Sequence, residues 1–151
     1  MVEVPDGFRV VYPVGDPRDA VLSVFRRGIQ VGHWRALHLT QDGVGDPPDS
    51  LESLDAFLAA GVDEFDLAGH LDGWFDHPPG YPVMFLRFDL IEDAWDELAA
   101  FVGLPDSVEP IRYEARHSDW RSTPTEVREP LDEIYGDLAA RIDAFPAVQI
   151  R

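Results

Sequence analysis

The chain of 151 residues contains no cysteine and no lysine. Without cysteine it has no disulfide framework, no thiol redox pair and no thiolate metal site. Without lysine it has neither the lysine of a P-loop nor a lysine general base. No run of 18 apolar residues occurs, so we expect no membrane-spanning helix.

Positive charge is scarce, because twelve arginines face nineteen aspartates and ten glutamates, for a formal net charge of −17. A surface of this sign repels nucleic acid and anionic membranes, so neither is expected as a partner. Solubility with compositional bias and adaptation to high salt both remain explanations of the acidity. The first twelve residues lack a basic start followed by an apolar run, so a cytoplasmic location is expected.

The composition is that of a globular protein, with 45% hydrophobic and 11% aromatic residues. A length of 151 residues suits a single domain with a real core, and we predict one domain over residues 1–151. Short apolar runs alternate with helical periodicity along the chain. This alternation predicts an α/β fold with few strands and much helix.

One stretch near the N-terminus carries the clearest local pattern. The apolar run 8–14 predicts a buried strand, and Gly15 permits a sharp turn after it. Asp16 suits the N-cap of a helix, Pro17 its first position, and Asp19 the carboxylate of a capping box. The helix should bury Val21, Phe25 and Ile29 on one face, with Gly28 and Gly32 interrupting it.

Further patterns predict the remaining elements. In chain order these are a helix capped by Ser50 and closed by Gly61, a helix over about 66–75 broken at 77–80, a buried strand within 81–90, a helix over 92–102 closed by Gly103, an irregular stretch over 106–122, and a last helix opened by the capping box 123–126. Together they favour a small sheet flanked by helices.

Residues 15–23 (GDPRDAVLS) resemble the segment with which sulfotransferases hold the 3′-phosphate of 3′-phosphoadenosine 5′-phosphosulfate (PAPS). The family pattern is Arg-x-Pro-x-Asp followed, after three residues, by Ser. Pro17, Asp19 and Ser23 match it, and Gly15 stands where the family has its phosphate-binding Arg.

The resemblance extends along the chain in the family's order. Residues 65–74 are similar to a family helix with a His-x-x-x-Trp pattern, 85–90 to the Leu-x-Tyr-Glu-Asp-Leu strand, 101–105 to Phe-Leu-Gly-x-Pro, and 118–121 with Thr125 to Gly-Asp-Trp-Lys…Thr. The resemblance implies a truncated P-loop-type three-layer fold with a small parallel sheet. It covers the family's central and C-terminal portion and not the N-terminal phosphate-loop region.

The resemblance also implies a nucleotide site. PAPS or its product 3′,5′-adenosine bisphosphate would be held, weakly, by Ser23, Arg18, Arg112, Arg116 and Trp120. No catalytic residue is matched. Each arginine and the serine also have a structural alternative. Arg112 and Arg116 would be solvated loop arginines, and Arg18 would form a surface ion pair with nearby aspartates. Ser23 would form a hydrogen bond with its own helix backbone.

The histidines point to packing rather than to metal binding. His70 lies beside the predicted apolar face of its helix, which favours a structural role. His33 and His38 are five residues apart with His77 further on, a spacing that does not provide zinc with a defined third ligand, so no metal is expected.

The resemblance implies one part of a split or assembled sulfotransferase, inactive alone, that would transfer a sulfuryl group from PAPS to a hydroxyl when completed. A second polypeptide or a second copy of the chain would complete the sheet. The alternative is a non-catalytic interaction or scaffold domain that retains only the fold.

Overall fold

A computed structural model describes residues 4–38, 45–76, 79–105, 107–110 and 119–151. These residues form an α/β structure with the following elements in chain order: β1 (Val10–Val14), α1 (Pro17–Arg26), α2 (Gln30–His38), α3 (Leu54–Ala60), α4 (Leu67–Asp76), β2 (Val83–Arg87), α5 (Trp95–Val102), α6 (Thr125–Asp143) and β3 (Val148–Ile150). In this described part, no helix is both long and apolar enough to cross a membrane.

The chain groups into two compact units, each built from separate stretches of sequence. The first, called here the sheet unit, comprises Met1–Gly15, Asp72–Ala115 and Arg141–Arg151. The second, the helical unit, comprises Asp16–Leu71 and Arg116–Ala140. The single domain predicted over residues 1–151 stays a prediction.

The sheet unit contains a mixed three-stranded sheet in the order β1-β2-β3. Strands β1 and β2 are parallel, with Val10 opposite Val83, whereas β3 runs antiparallel to β2, with Ile150 opposite Met84. The expected all-parallel sheet is therefore wrong at its last strand. Strand β3 has only three residues and follows a long helical pattern, too weak a signal for sequence periodicity to detect.

Strand β2 provides the core of the sheet unit, as its continuous apolar run predicted. Its first four residues are at most 1% exposed, and Met84 and Leu86 pack with Ala94. Strand β1 differs from its prediction as a buried strand, because only Val14 is buried and Pro13 is exposed. Within the described residues β1 pairs with β2 alone, so its other edge is open.

Aromatic rings form the core of the helical unit. Phe57 and Phe65 are 0% and 1% exposed, and their ring centroids lie 5.6 Å apart. Phe25 of α1 contacts both rings, and Tyr135 of α6, fully buried, stacks on Phe57 at 6.5 Å. Helix α1 and helix α6 are thereby joined through one cluster of rings.

Three local predictions in the helical unit need correction. Helix α3 is capped by Ser53, whose hydroxyl accepts the Ala56 N–H, whereas Ser50 donates to Glu64 at 2.8 Å. Ile29 is 45% exposed because α1 ends at Arg26, before the turn at Gly28 with φ +65°. Gly32 lies inside α2 and interrupts no helix.

Other predicted ends are confirmed. Gly61 closes α3 and Gly103 closes α5, both in the left-handed conformation that glycine adopts without steric cost. Helix α4 covers the predicted span to within one residue. Helix α6 begins at Thr125, but the predicted capping box is wrong, because the Thr123 hydroxyl donates to the Trp120 carbonyl instead of capping the helix. The predicted helix break at 77–80 falls partly on residues 77 and 78, which lie outside the described residues, as does part of the irregular stretch 106–122.

Candidate functional site

The N-terminus of α1 in the helical unit brings together the residues singled out by the sequence. Asp16 caps the helix by accepting the backbone N–H of Arg18 at 3.0 Å, and Pro17 occupies the first turn. Both features were predicted. An Asp at the N-cap accepts hydrogen bonds from the free N–H groups of the first turn, and a Pro at the first position fixes φ near its helical value. The cap fixes where the Arg18 side chain leaves the helix.

Arg18 is held by two carboxylates. Its Nε and Nη2 donate to the two oxygens of Asp16, both at 2.9 Å, and its Nη1 donates to Asp132 of α6. The residue is 6% exposed, so the predicted alternative of a surface ion pair is correct in its Asp partner and wrong in its location. Burial by itself lowers the pKa of Arg18, but the two carboxylates outweigh it and raise the pKa above its usual value.

Trp120 joins this cluster from a distant part of the chain. The Arg18 guanidinium carbon lies 3.8 Å from the centroid of the Trp120 ring. The backbone N–H of Trp120 donates to Asp19 Oδ1 at 2.7 Å, although the two residues are 101 positions apart in sequence. Asp19, predicted as part of a capping box, thus anchors a distant loop. The start of α1 and the segment that begins at Asp119 are therefore in contact.

The Trp120 indole is almost entirely enclosed. The residue is 8% exposed, and its Nε1–H is buried without a hydrogen-bond partner among the described residues. Arg121 covers the same ring, with its guanidinium carbon 5.1 Å from the centroid. Two guanidinium groups therefore lie against one indole, an arrangement that cation–π attraction stabilises.

The remaining predicted site residues are distributed as follows. Ser23 is partly buried on α1, four residues after Asp19 and so on the same side of the helix. Its carbonyl accepts the Arg27 N–H at 3.1 Å. Arg112 and Arg116 lie outside the described residues. The assignment of all five residues to a nucleotide stays a prediction.

The arrangement has a definite electrostatic character. The Arg18 charge is paired with Asp16 and Asp132, and the neighbouring Asp19 adds a further carboxylate. An incoming phosphate would therefore meet more negative than positive charge from the described side chains. Such a site binds anions weakly until a further cation is supplied.

The histidines of the helical unit lie in aromatic surroundings. The His33 ring is 5.8 Å from Phe65, and burial together with the nearby His70 lowers the pKa of His33. Burial also lowers the pKa of His70. His38 stacks on Trp34 at 4.5 Å. His77 lies outside the described residues, and among those that are described no three candidate ligands cluster as a metal site would require.

A second buried polar pair was not predicted. The Tyr135 hydroxyl donates to Asp63 Oδ1 at 2.7 Å, and Asp63 Oδ2 accepts the Ala68 N–H at the start of α4. Burial raises the pKa of Asp63, and burial together with the Asp63 charge raises the pKa of Tyr135. The partners are 72 residues apart, so no local pattern could have indicated them.

Comparison with known proteins adds no relative. No protein-family model matches the sequence, no curated protein matches it, and no solved structure matches the chain.

Proposed function

We propose that this chain is a sulfotransferase-type domain that supplies the 3′-phosphate side of a donor-nucleotide site, with the phosphosulfate side supplied by a second polypeptide. The completed assembly would transfer a sulfuryl group from PAPS to a hydroxyl acceptor and release 3′,5′-adenosine bisphosphate. In this proposal the P-loop-type three-layer architecture arises in the assembly.

The observation that carries the proposal is the contact of Arg18 and Asp19, in the segment 15–23, with Trp120. The two sides of this contact lie in segments that resemble parts of the family's 3′-phosphate site, and each segment is a weak match alone. The Asp19–Trp120 hydrogen bond and the Arg18–Trp120 stacking bring them together across about a hundred residues of sequence. Their contact supports the proposal that the two matches belong to one site.

The open edge of β1 supports the same proposal. The Val10 N–H donates to the carbonyl of Pro82, the residue before β2. In a parallel ladder Val10, Tyr12 and Val14 therefore face β2, while Val11 and Pro13 face the other edge. That edge presents two carbonyls and the Val11 N–H, because proline has no N–H. It can accept a further parallel strand with one hydrogen bond fewer than usual, as an edge strand containing proline does.

The nucleotide affinity of the isolated chain tests the proposal. With Gly15 in place of the family's Arg and with Arg18 paired, we expect 3′,5′-adenosine bisphosphate to bind only weakly and no sulfuryl transfer to occur. Gly15→Arg should tighten binding about tenfold, the lower end of what a charge-assisted hydrogen bond contributes. Isothermal titration calorimetry measures both values.

The matched control is Gly45→Arg, which adds the same charge at an exposed glycine with no atom within 4 Å of an added Cβ. It should leave the affinity unchanged. Submicromolar binding by the unmodified chain, or equal effects of the two variants, would contradict the proposed site. Turnover of labelled PAPS by the pure chain would show that it already contains a complete site.

The assembly is tested separately. A strand edge that lacks its neighbour favours a symmetric dimer or a defined partner, and the high net charge opposes unspecific aggregation. Light scattering at low micromolar concentration and moderate salt should therefore detect an oligomer or, with the partner present, a complex. A stable monomer with a cooperative melt and no partner would remove the split-enzyme proposal.

One observation favours the second candidate, a scaffold or interaction domain without a nucleotide. The buried Arg18 is fully engaged by Asp16 and Asp132, which is the behaviour of a structural arginine. In that case Gly15→Arg gives no tighter binding, and the chain still forms its complex by light scattering. The two measurements together distinguish the candidates.

A further inference from the structure

A groove of about 450 Å³ runs along α1 and the start of α3 in the helical unit. Leu22, Phe25 and Leu54 contribute its apolar surface, and Arg26, Glu52 and Gln30 contribute polar groups. A volume of several hundred Å³ with apolar walls and a few polar groups is typical of small-molecule sites. Its walls include none of the residues assigned above to the nucleotide.

The groove carries opposite charges on its walls. Arg26 and Glu52 both line it and both are exposed. Neither belongs to an ion pair in the described part of the chain, whereas four other arginines there are paired with carboxylates. A ligand with an anionic group at one end and a cationic group at the other could therefore meet both.

A third polar group indicates where a ligand would donate a hydrogen bond. The side-chain oxygen of Gln30, the first residue of α2, is buried and has no hydrogen-bond partner within the described residues. Buried acceptors in folded proteins are almost always satisfied. Because the Gln30 residue lines the groove while this oxygen is turned away from it, a rotation of the side-chain amide would bring the oxygen to a donor on a bound ligand.

We propose that this groove binds a small zwitterion with an apolar side chain, the chemistry of a free aromatic or branched aliphatic amino acid. The carboxylate pairs with Arg26, the ammonium group donates to Glu52 and Gln30, and the side chain lies against Leu22, Phe25 and Leu54. This site is independent of the proposed sulfotransferase function, because neither nucleotide nor partner takes part.

The test is a titration of the full ¹⁵N-labelled chain with L-phenylalanine, followed by amide shifts in two-dimensional NMR spectra. Shifts should concentrate at Leu22, Gln30 and Leu54. Phenethylamine lacks the carboxylate and 3-phenylpropionate lacks the ammonium group, so each should bind about tenfold more weakly. Equal affinity for all three compounds, or no shifts at millimolar phenylalanine, would overturn the proposal.

Variants assign the two charges. Arg26→Ala should weaken phenylalanine binding about tenfold and leave phenethylamine binding unchanged. Glu52→Gln should also weaken phenylalanine binding about tenfold and leave 3-phenylpropionate binding unchanged. The matched control is Arg27→Ala, which removes a neighbouring exposed arginine outside the groove lining and should change neither affinity. Loss of binding in Arg27→Ala would mean that overall charge, not the groove, attracts the ligand.

Gln30→Leu separates a binding role from a structural one. It removes the unpaired buried oxygen, so the melting temperature should be kept or raised while phenylalanine binding is weakened. A lowered melting temperature would show that the Gln30 side chain serves packing. Equal binding of N-acetylphenylalanine amide, which has no charged ends, would assign the groove to a peptide segment and overturn the proposal of a free amino acid.

Discussion

Arg141 of the sheet unit and Arg18 of the helical unit are both paired with aspartates, but in opposite environments. In the sheet unit, Arg141 pairs with Asp72 at the surface, where the two side chains are 49% and 43% exposed. In the helical unit, the Arg18 side chain is 7% exposed and pairs with Asp16 and Asp132 beneath the Trp120 ring. In the first pair both charges keep much of their contact with water. In the second, the Arg18 guanidinium and most of Asp16 lose that contact, while Asp132 stays 55% exposed.

The difference extends to the cores of the two units. The sheet unit encloses Met84, Leu86 and Ala94, side chains without hydrogen-bonding groups. The helical unit encloses the Tyr135 hydroxyl and the Arg18 guanidinium, each of which needs a partner of fixed geometry. Apolar packing tolerates small shifts, but a buried polar group is stable only where its partner stands. The helical unit therefore depends more on single residues.

Breaking the buried ion pair should have the largest effect. Arg18→Ala leaves Asp16 and Asp132 without their cation and removes the guanidinium from Trp120, so unfolding in urea should show a loss of about 4 kcal/mol. The control Arg141→Ala breaks a surface pair and should lose less than about 1 kcal/mol. Similar losses for both variants would mean that the two units do not differ in this respect.

An apolar truncation tests the sheet unit. Leu86→Ala removes a side chain that is 1% exposed in the middle of β2, and urea unfolding should show a loss of about 3 kcal/mol. Ile150→Ala in the neighbouring strand β3 is the control, because Ile150 is 55% exposed and should lose less than about 1 kcal/mol. A large loss at Ile150 would indicate that β3 is covered in solution.

Removing one hydroxyl tests the second buried polar pair. Tyr135→Phe withdraws the hydrogen bond from Asp63 and should lower the stability at neutral pH by about 1 kcal/mol. Tyr81→Phe in the sheet unit is the control and should leave the stability unchanged, since Tyr81 is only partly buried. A neutral Tyr135→Phe variant would show that the pair contributes no net stability.

The same pair predicts a pH dependence. Burial raises the pKa of Asp63, so the folded protein holds this proton more tightly than the unfolded chain does, and stability contributed by Asp63 is lost as the pH rises through the raised pKa. The Tyr135 hydroxyl stabilises the ionised form, so its removal should matter more at pH 7 than at pH 4. Urea unfolding of the unmodified chain and of Tyr135→Phe, each at pH 4 and at pH 7, measures the loss of stability at both pH values. A larger effect at pH 4 would have the wrong sign.

The smallest expected effect concerns the acidic surface of α6. Glu129, Glu133 and Asp137 are exposed and four residues apart, so like charges are neighbours on one side of the helix. Glu133→Arg turns two repulsions into attractions and should raise the stability by about 0.5 kcal/mol at low salt. Thermal melts at low and at molar KCl should show this gain shrink as salt screens the charges. A gain independent of salt would have another cause.

Local features of the fold could be predicted from the sequence. Asp16 before Pro17, and Gly61 and Gly103 after apolar periodic segments, act on neighbouring backbone groups, so the pattern contains both the cause and its effect. The continuous apolar run in β2 likewise indicates burial by itself. The cap of α3 was misplaced by three residues, because Ser53, and not the predicted Ser50, accepts the helix N–H.

Partners far apart in sequence were decided by the tertiary structure alone. The sequence offers nineteen aspartates to Arg18, and nothing in their spacing distinguishes Asp132, which lies 114 residues away. Only the packing of α1 and α6 around Phe57 brings that carboxylate within reach. The same holds for Asp19 with Trp120 and for Tyr135 with Asp63. A hydrogen bond acts over about 3 Å, so its partner is defined only once the chain has closed on itself.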